Sequence, residues 1–70
     1  MTPEKWIAAK IKESGLKIYF VAEKAGIDNK NLSATLNGRR RFKVEEFLSV
    51  CRALSLDPTA YTREKGEANA

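Results

Sequence analysis

Four cationic side chains lie within one run of five residues, Arg39-Arg40-Arg41-Phe42-Lys43, which contains no acidic residue. Guanidinium and ammonium groups at this density attract anions such as phosphates and carboxylates. The cations elsewhere in the chain equal the Asp and Glu residues in number, so the net charge of +4 resides in this run. We call residues 39–43 the basic segment. It is either a local anion-binding surface or a solvated loop, and charge alone does not separate the two.

The other reactive residue types do not form a catalytic or metal-binding set. The chain has one cysteine, Cys51, and no histidine, which excludes an internal disulfide, a zinc site of Cys and His ligands and a histidine-activated thiol. No pair of carboxylates is placed for acid–base catalysis, and the glycines do not match a phosphate-binding loop. We therefore expect no enzymatic activity, no cofactor and no metal.

The size of the chain and its N-terminal residues indicate where the protein works. With 70 residues it has room for one domain with one modest core. Pro3 and Glu4 stand where a secretory signal would carry positive charge, and the longest apolar run, residues 18–22, is too short to span a bilayer. A lone thiol without a disulfide partner is typical of a reducing compartment. We expect a cytoplasmic protein with no membrane partner.

Helix start and stop signals alternate along the chain. Thr2 and Asp28 are good N-cap residues, Pro3 suits the first helical position, and Gly15 and Gly26 are natural stops. The predicted helices span about residues 3–15, 17–25, 28–36, 44–54 and 57–61. The predicted fold is therefore all-α, a compact bundle of four to five short helices. Residues 1–62 form its one domain, and residues 63–70 form a flexible polar tail.

Apolar residues recur at helical spacing and define the predicted core face of each helix. The predicted core residues are Trp6, Ile7, Ile11, Ile18, Val21, Ala22, Ala25, Ile27, Leu32, Leu36, Val44, Phe47, Leu48, Cys51 and Leu54. Tyr19 and Phe20 flank the apolar stripe of the second helix, so we expect at least one of them to be partly exposed. They contribute either to core packing or to a protein contact.

Ala22, Gly26 and Leu32 have the spacing of a tight corner between two helices. A small alanine allows the helices to approach, the glycine permits a steep turn, and Leu32 fills the angle from the far side. Two helices joined by so short a turn form a helix-turn-helix unit, whose second helix lies in the major groove of DNA. Together with the basic segment that follows Gly38, this corner predicts a DNA-binding unit.

The run Val21-Ala22-Glu23-Lys24-Ala25-Gly26-Ile27, followed by Leu32 and Asn37-Gly38, resembles the lambda-repressor-like family of Cro, CI and XRE-type regulators. Residues 52–58 are similar to the end of that family's fourth helix. The resemblance covers about residues 5–61, and the chain length is closer to single-domain phage Cro proteins than to two-domain repressors. It implies a phage or bacterial transcriptional regulator, such as a repressor, that binds double-stranded DNA.

On the third helix, the face opposite Leu32 and Leu36 is mostly polar. The resemblance places base contacts on this face, at Asn29, Lys30, Ser33 and Ala34. Asparagine pairs with adenine, lysine donates to guanine, serine serves either base, and the alanine methyl suits a thymine methyl. The alternative is a solvated helix face without base contacts.

Phosphate contacts are predicted around the same helix and at the start of the second one. The predicted residues are Lys17, Asn37, Arg39, Arg40, Arg41 and Lys43. Since each neutralised phosphate releases counterions, these residues should set DNA affinity and its salt dependence more than the choice of sequence. Lys17 is equally well explained as a solvated side chain.

The resemblance also implies a homodimer, formed in solution or only on DNA, on a near-palindromic operator with half-sites roughly 34 Å apart. The predicted dimer surface is the segment from Leu56 to Tyr61, with Phe20 as a candidate addition. The operator sequence does not follow from these residues.

Three positions depart from the family pattern. Ile18 stands where many relatives carry a glutamine that donates to DNA, and Asp28 stands where many carry serine or threonine. Ile11 and Leu36 replace an arginine–glutamate pair, which we interpret as a packing solution without functional meaning. The first two departures and the pair Tyr19-Phe20 support an alternative function, a helix-turn-helix module that acts mainly through protein–protein contacts.

Overall fold

A computed structural model of the protein describes residues 2–66, which contain five α-helices and no β-strand. The helices are α1 (Pro3–Ser14), α2 (Ile18–Ala25), α3 (Asn29–Leu36), α4 (Val44–Ala53) and α5 (Thr59–Gly66). The predicted all-α fold is confirmed. The first four helices begin and end within one or two residues of the predicted positions, because the local signals at their ends are strong.

Two side chains cap the N-termini of α1 and α3, as the sequence indicates. The Thr2 hydroxyl accepts a hydrogen bond from the Lys5 N–H at 3.2 Å, and Pro3 occupies the first turn of α1. The Asp28 carboxylate accepts one from the Lys30 N–H at 2.8 Å at the start of α3. Because each bond satisfies a backbone donor that has no partner within the helix, both N-cap predictions are confirmed.

The corner between α2 and α3 occupies residues 26–28. Gly26 has a φ of +73°, in the left-handed region that favours glycine. Ala22 and Leu32, on either side of the corner, are both buried, and the Ile27 N–H donates to the Ala22 carbonyl at 2.9 Å. Helix α2 packs against both α3 and α4, so the corner is fixed to the rest of the bundle.

The core is centred on α1 and on the inner faces of α2, α3 and α4. Its buried apolar residues are Trp6, Ile7, Ile11, Val21, Ala22, Leu32, Val50 and Cys51. The prediction for α4 was partly wrong, because Val44 is 75% exposed and Leu48 is 40% exposed. Val50, which was not predicted, is 0% exposed. Helix α4 has more apolar residues than one face can hold, so its rotation depends on its neighbours.

The C-terminal part of the fold differs from the prediction. Helix α5 was expected to end near Tyr61 and a polar tail to follow, but α5 continues through Gly66. The physical reason is a tertiary contact, since the Glu64 side chain is bonded to α1. Residues 67–70 of the predicted tail lie outside the described residues. Within residues 2–66, no helix combines the length and the hydrophobicity needed to cross a membrane.

Candidate nucleic-acid interface

One row of side chains on helix α3 points away from the core. Lys30, Ser33, Ala34 and Asn37 follow the i, i+3, i+4, i+7 spacing of a single helix face. Lys30 and Asn37 are exposed, and Ser33 and Ala34 are half-buried at the edge of the stripe. Asn29, in the first turn, is also exposed. The helix therefore offers Lys30, Ser33 and Ala34 on its outer side. Asn29 is exposed because it lies in the first turn, although its helical position is in line with the inward Leu32 and Leu36.

The orientation of α3 is fixed by the residues on its inner side. Leu32 is fully buried in the core, and Leu36 packs against it. Thr35 is buried as well, and its hydroxyl donates to the Asn31 carbonyl at 2.8 Å. Because this hydroxyl has both a donor and an acceptor partner, its burial leaves no polar group unsatisfied. Thr35 was not predicted as a buried residue because its side chain is polar, although it lies on the inner face of α3 with Leu32 and Leu36.

Exposure alternates along the basic segment between α3 and α4. Arg39, Arg41 and Lys43 are exposed, whereas Arg40 and Phe42 are partly buried. The backbone at Lys43 is extended, with φ −83° and ψ 154°. In extended backbone, successive side chains point to opposite sides. Three of the four cations in the segment therefore have exposed side chains.

Arg40 differs from the other predicted phosphate ligands because its guanidinium is bonded within the protein. Its two terminal nitrogens lie 3.1 and 3.0 Å from the Glu46 carboxylate oxygens, and Nη1 also donates to the Thr35 hydroxyl at 2.8 Å. Such a two-pronged pair has the fixed geometry that arginine and carboxylate favour. In this structure Arg40 joins α3 to α4, and its predicted phosphate contact stays a prediction.

The hydrogen bond from Arg40 lowers the pKa of the Glu46 carboxyl. Burial opposes this effect, while the Lys43 N–H, at 3.0 Å from Oε1, and the charges of Arg40 and Lys43 add to it. Glu46 is therefore ionised at neutral pH. It cancels one charge of the basic segment and holds the segment at the start of α4.

A second acid, Glu4 of α1, holds the same segment. Its Oε2 accepts a hydrogen bond from the Phe42 N–H at 2.8 Å, across 38 residues of sequence. Burial would raise the pKa of Glu4, but hydrogen bonds from the Phe42 N–H, its own N–H and Thr2, together with the charge of Arg41, lower it overall. The Phe42 ring packs on Phe47 at 5.9 Å between centroids. The backbone at residue 42 is thus fixed against α1 and α4.

One surface cleft brings several of these residues together. It lies between the start of α1 and the end of α3 and is lined by Thr2, Glu4, Lys5, Leu36, Asn37, Gly38, Arg40 and Arg41. Asn37 follows the last residue of α3, and Gly38 next to it has a φ of +83°. The predicted phosphate residues Asn37 and Arg41 therefore share one edge of the molecule. Lys17 is exposed at the N-terminus of α2.

Comparison with known families identifies the kind of domain that carries this surface. A family model described as the Cro/C1-type HTH DNA-binding domain matches residues 7–59. This chain belongs to the Cro/C1-type family. The match runs from the first turns of α1 to the start of α5, so it includes the glycine corner, α3 and the basic segment. The search of curated proteins and the search of solved structures gave no significant match.

As a Cro/C1-type domain, the protein is a helix-turn-helix DNA-binding regulator, and double-stranded DNA is its partner. The resemblance predicted from the corner residues is confirmed. The assignment of single residues to bases or phosphates is not part of what the family match shows, so those contacts remain predictions.

Two acidic residues that organise the DNA-binding domain were not predicted as site residues. Glu46 carried a local signal, because an acid three residues into a helix commonly bonds the backbone N–H at the helix start. Glu4 carried none, since its partner is distant in the sequence. The sequence assigned Glu4 to the first turn of α1, where it does lie.

Cys51 lies in the core, as predicted. Burial, with a smaller contribution from the charge of Asp57, raises the pKa of its thiol. The thiol is therefore protonated at neutral pH, which disfavours nucleophilic chemistry. Among the described residues, no group of three or more Cys, Asp and Glu side chains is placed to hold a metal ion.

Proposed function

We propose that this Cro/C1-type protein is a sequence-specific transcriptional regulator without enzymatic activity. In this proposal α3 lies in the major groove, and Asn29, Lys30, Ser33 and Ala34 contact base edges. The observation that carries the proposal is the outward stripe on α3 beside three exposed cations of the basic segment.

Base contacts follow from the chemistry of the stripe. Lys30 is exposed and donates to the guanine acceptors in the major groove, and the exposed Asn29 amide pairs with adenine. The half-buried Ser33 and Ala34 are short, so they suit the closest approach of α3 to the bases. The Ala34 methyl then packs on a thymine methyl.

Phosphate contacts follow from the exposed cations. Arg39, Arg41 and Lys43 are exposed and supply charge without sequence information. Asn37 and Lys17 are the further predicted phosphate contacts, and both are exposed. Arg40 is also a predicted phosphate contact, and its guanidinium is paired with Glu46 in the protein without DNA.

The test compares one base contact with one phosphate contact. Selection of bound sites from a random duplex library defines the operator, and Lys30→Ala should broaden the base preference at one position of each half-site. Arg41→Gln should weaken binding to all duplexes alike and reduce the slope of log affinity against log salt by about 0.9. Unchanged affinity for both variants would contradict the proposal.

The homodimer is proposed from the family and from the short reach of one helix. Two copies of α3 roughly 34 Å apart would contact a near-palindromic operator. The proposed dimer segment, from Leu56 to Tyr61, includes partly buried apolar residues that pack on the core. Analytical ultracentrifugation with a full operator and with a half-site measures the stoichiometry, and a single copy on the full operator would refute the dimer.

A second candidate function rests on an apolar patch at the α1–α2 connection. Leu16 is 38% exposed, Tyr19 is 58% exposed and Phe20 is 41% exposed, and all three line one shallow cleft. Such a patch suits a contact with another protein. A gel-shift titration against mixed genomic duplexes separates the two functions. Retarded complexes at micromolar protein favour DNA recognition, and their absence at low salt favours protein binding.

A further inference from the structure

The basic segment is fixed at two points on its inner side. The Arg40 side chain is held by Glu46, and the backbone N–H of Phe42 is held by the Glu4 carboxylate at 2.8 Å. The residues on either side of Phe42, Arg41 and Lys43, are exposed. The direction in which these two cations project therefore depends on where residue 42 is anchored.

We propose that Glu4 is a positioning residue for DNA binding. Its carboxylate holds the backbone at Phe42 so that Arg41 and Lys43 face the phosphates of one DNA strand. This inference rests on the proposed function, in which the cations of the basic segment bind phosphate. Glu4 itself touches no DNA in this proposal.

Because Glu4 is negatively charged, the direction of the change in DNA affinity on its replacement tests the inference. Glu4 lines the same cleft as Arg41 and Lys5, close to the surface that is proposed to bind DNA phosphates. If Glu4 acted through charge alone, it would repel phosphates, and its removal would strengthen DNA binding. A positioning role predicts the opposite result when the hydrogen-bond acceptor is lost.

Two substitutions separate the acceptor from the charge. Glu4→Ala removes both, whereas Glu4→Gln removes the charge and keeps a side-chain oxygen that can accept from the Phe42 N–H. Glu45→Ala is the matched control, because Glu45 is an exposed acid at the start of α4, two residues after Lys43. It changes the net charge near the basic segment by the same amount.

The experiment measures affinity for one duplex at several salt concentrations. We expect Glu45→Ala to bind as tightly as the unmodified protein or more tightly. Glu4→Gln should do the same, because it keeps the acceptor. Glu4→Ala should bind about 3- to 10-fold more weakly, because the released segment must be ordered on binding, at a cost of at most about one hydrogen bond. It should also lose about 0.9 from the salt slope, as expected for one phosphate contact.

Loss of folding is monitored separately. Circular dichroism and thermal unfolding of each variant show whether Glu4→Ala is folded at the assay temperature. If it is not, amide hydrogen exchange of Phe42 in Glu4→Gln and in the unmodified protein gives the second measurement, with and without DNA. Protection of Phe42 in both proteins supports the inference. Rapid exchange of Phe42 in the unmodified protein would overturn it.

The result distinguishes failure of this inference from failure of the proposed function. If Arg41→Gln weakens binding but Glu4→Ala binds as tightly as Glu45→Ala with an unchanged salt slope, Glu4 has no positioning role and the phosphate surface stands. If Arg41→Gln leaves affinity and salt slope unchanged, Arg41 does not bind phosphate and this inference is refuted, whereas the proposed function is then decided by Lys30→Ala.

Discussion

The indole Nε1–H of Trp6 donates a hydrogen bond to Oε1 of Glu64 at 2.8 Å, which joins the first helix to the last across 58 residues of sequence. Lys10 lies 3.6 Å from the other Glu64 oxygen and 5.4 Å from the centroid of the Trp6 ring. Tyr61 packs edge-on against Trp6 at 5.6 Å. These contacts attach α5 to α1, and they account for the continuation of α5 beyond the predicted end.

Removal of the Glu64 carboxylate should loosen α5. In Glu64→Ala the buried Trp6 N–H loses its acceptor, so we expect a change in tryptophan fluorescence and faster amide exchange across residues 59–66. The rest of the domain should keep its exchange protection, because the core of α1 to α4 does not include Glu64. Glu13→Ala, an exposed acid of α1, is the control. Unchanged exchange in α5 would show that Glu64 does not hold this helix.

The free energy of unfolding should decrease as the pH is lowered, because Glu46 becomes protonated. Its pKa in the folded protein is below the ordinary value of 4.5, chiefly because Arg40 donates to it. The ionised form therefore stabilises the fold above that pH, and the contribution is lost as the pH falls through the lower folded-state pKa. Urea unfolding from pH 7 to pH 3 should show this loss. Glu46→Gln should be less stable at pH 7 and depend less on pH.

The same experiment has an internal control in the partner residue. Arg40→Gln should also flatten the pH dependence, since Glu46 then loses the donor that lowers its pKa. The loss of stability in the double variant should be smaller than the sum of the two single losses, because both substitutions remove the same interaction. Fully additive effects would mean that the Arg40–Glu46 pair does not contribute to stability.

Two valines of α4 should respond very differently to truncation. Val50→Ala removes buried methyl groups and leaves a cavity, so it should lower the free energy of unfolding by about 2 kcal/mol. Val44→Ala, at a largely exposed position, should change it by less than about 0.5 kcal/mol. Chemical denaturation measures both. Equal losses in the free energy of unfolding would mean that α4 packs on the core with a different face from the one in this structure.

Ser55 should be a site where glycine stabilises the fold. It follows α4 with a φ of 58°, in the left-handed region, and its N–H donates to the Arg52 carbonyl at 3.1 Å. A side chain in this conformation costs about 1–2 kcal/mol, whereas glycine adopts it freely but loses more chain entropy on folding. We expect Ser55→Gly to raise the free energy of unfolding by about 0.5–1 kcal/mol. Ser55→Ala, the control, should bring no such gain.

Local signals in the sequence determined the helices and the corner. Thr2, Asp28 and Gly26 act on backbone groups a few residues away, so their effects do not depend on the rest of the fold. The 3.6-residue period likewise placed Leu32 inward and Lys30 outward. These features sufficed to predict the helix-turn-helix unit and the Cro/C1-type resemblance, which the family match confirmed.

Tertiary structure decided which of several locally equivalent residues faces the core or binds a partner. Val44 and Val50 both fit an apolar face of α4, and packing of α4 on the core buried Val50 and left Val44 exposed. Arg40 has the same charge as its neighbours, but within the basic segment the fold brings the Arg40 side chain, and no other cationic side chain, into an ion pair with Glu46.

The bonds from Glu4 to residue 42 and from Trp6 to Glu64 join positions 38 and 58 residues apart. No short-range pattern encodes such contacts. They form only when the packed helices bring distant carboxylates to buried or fixed N–H donors, and the geometry of the basic segment and the length of α5 follow from them.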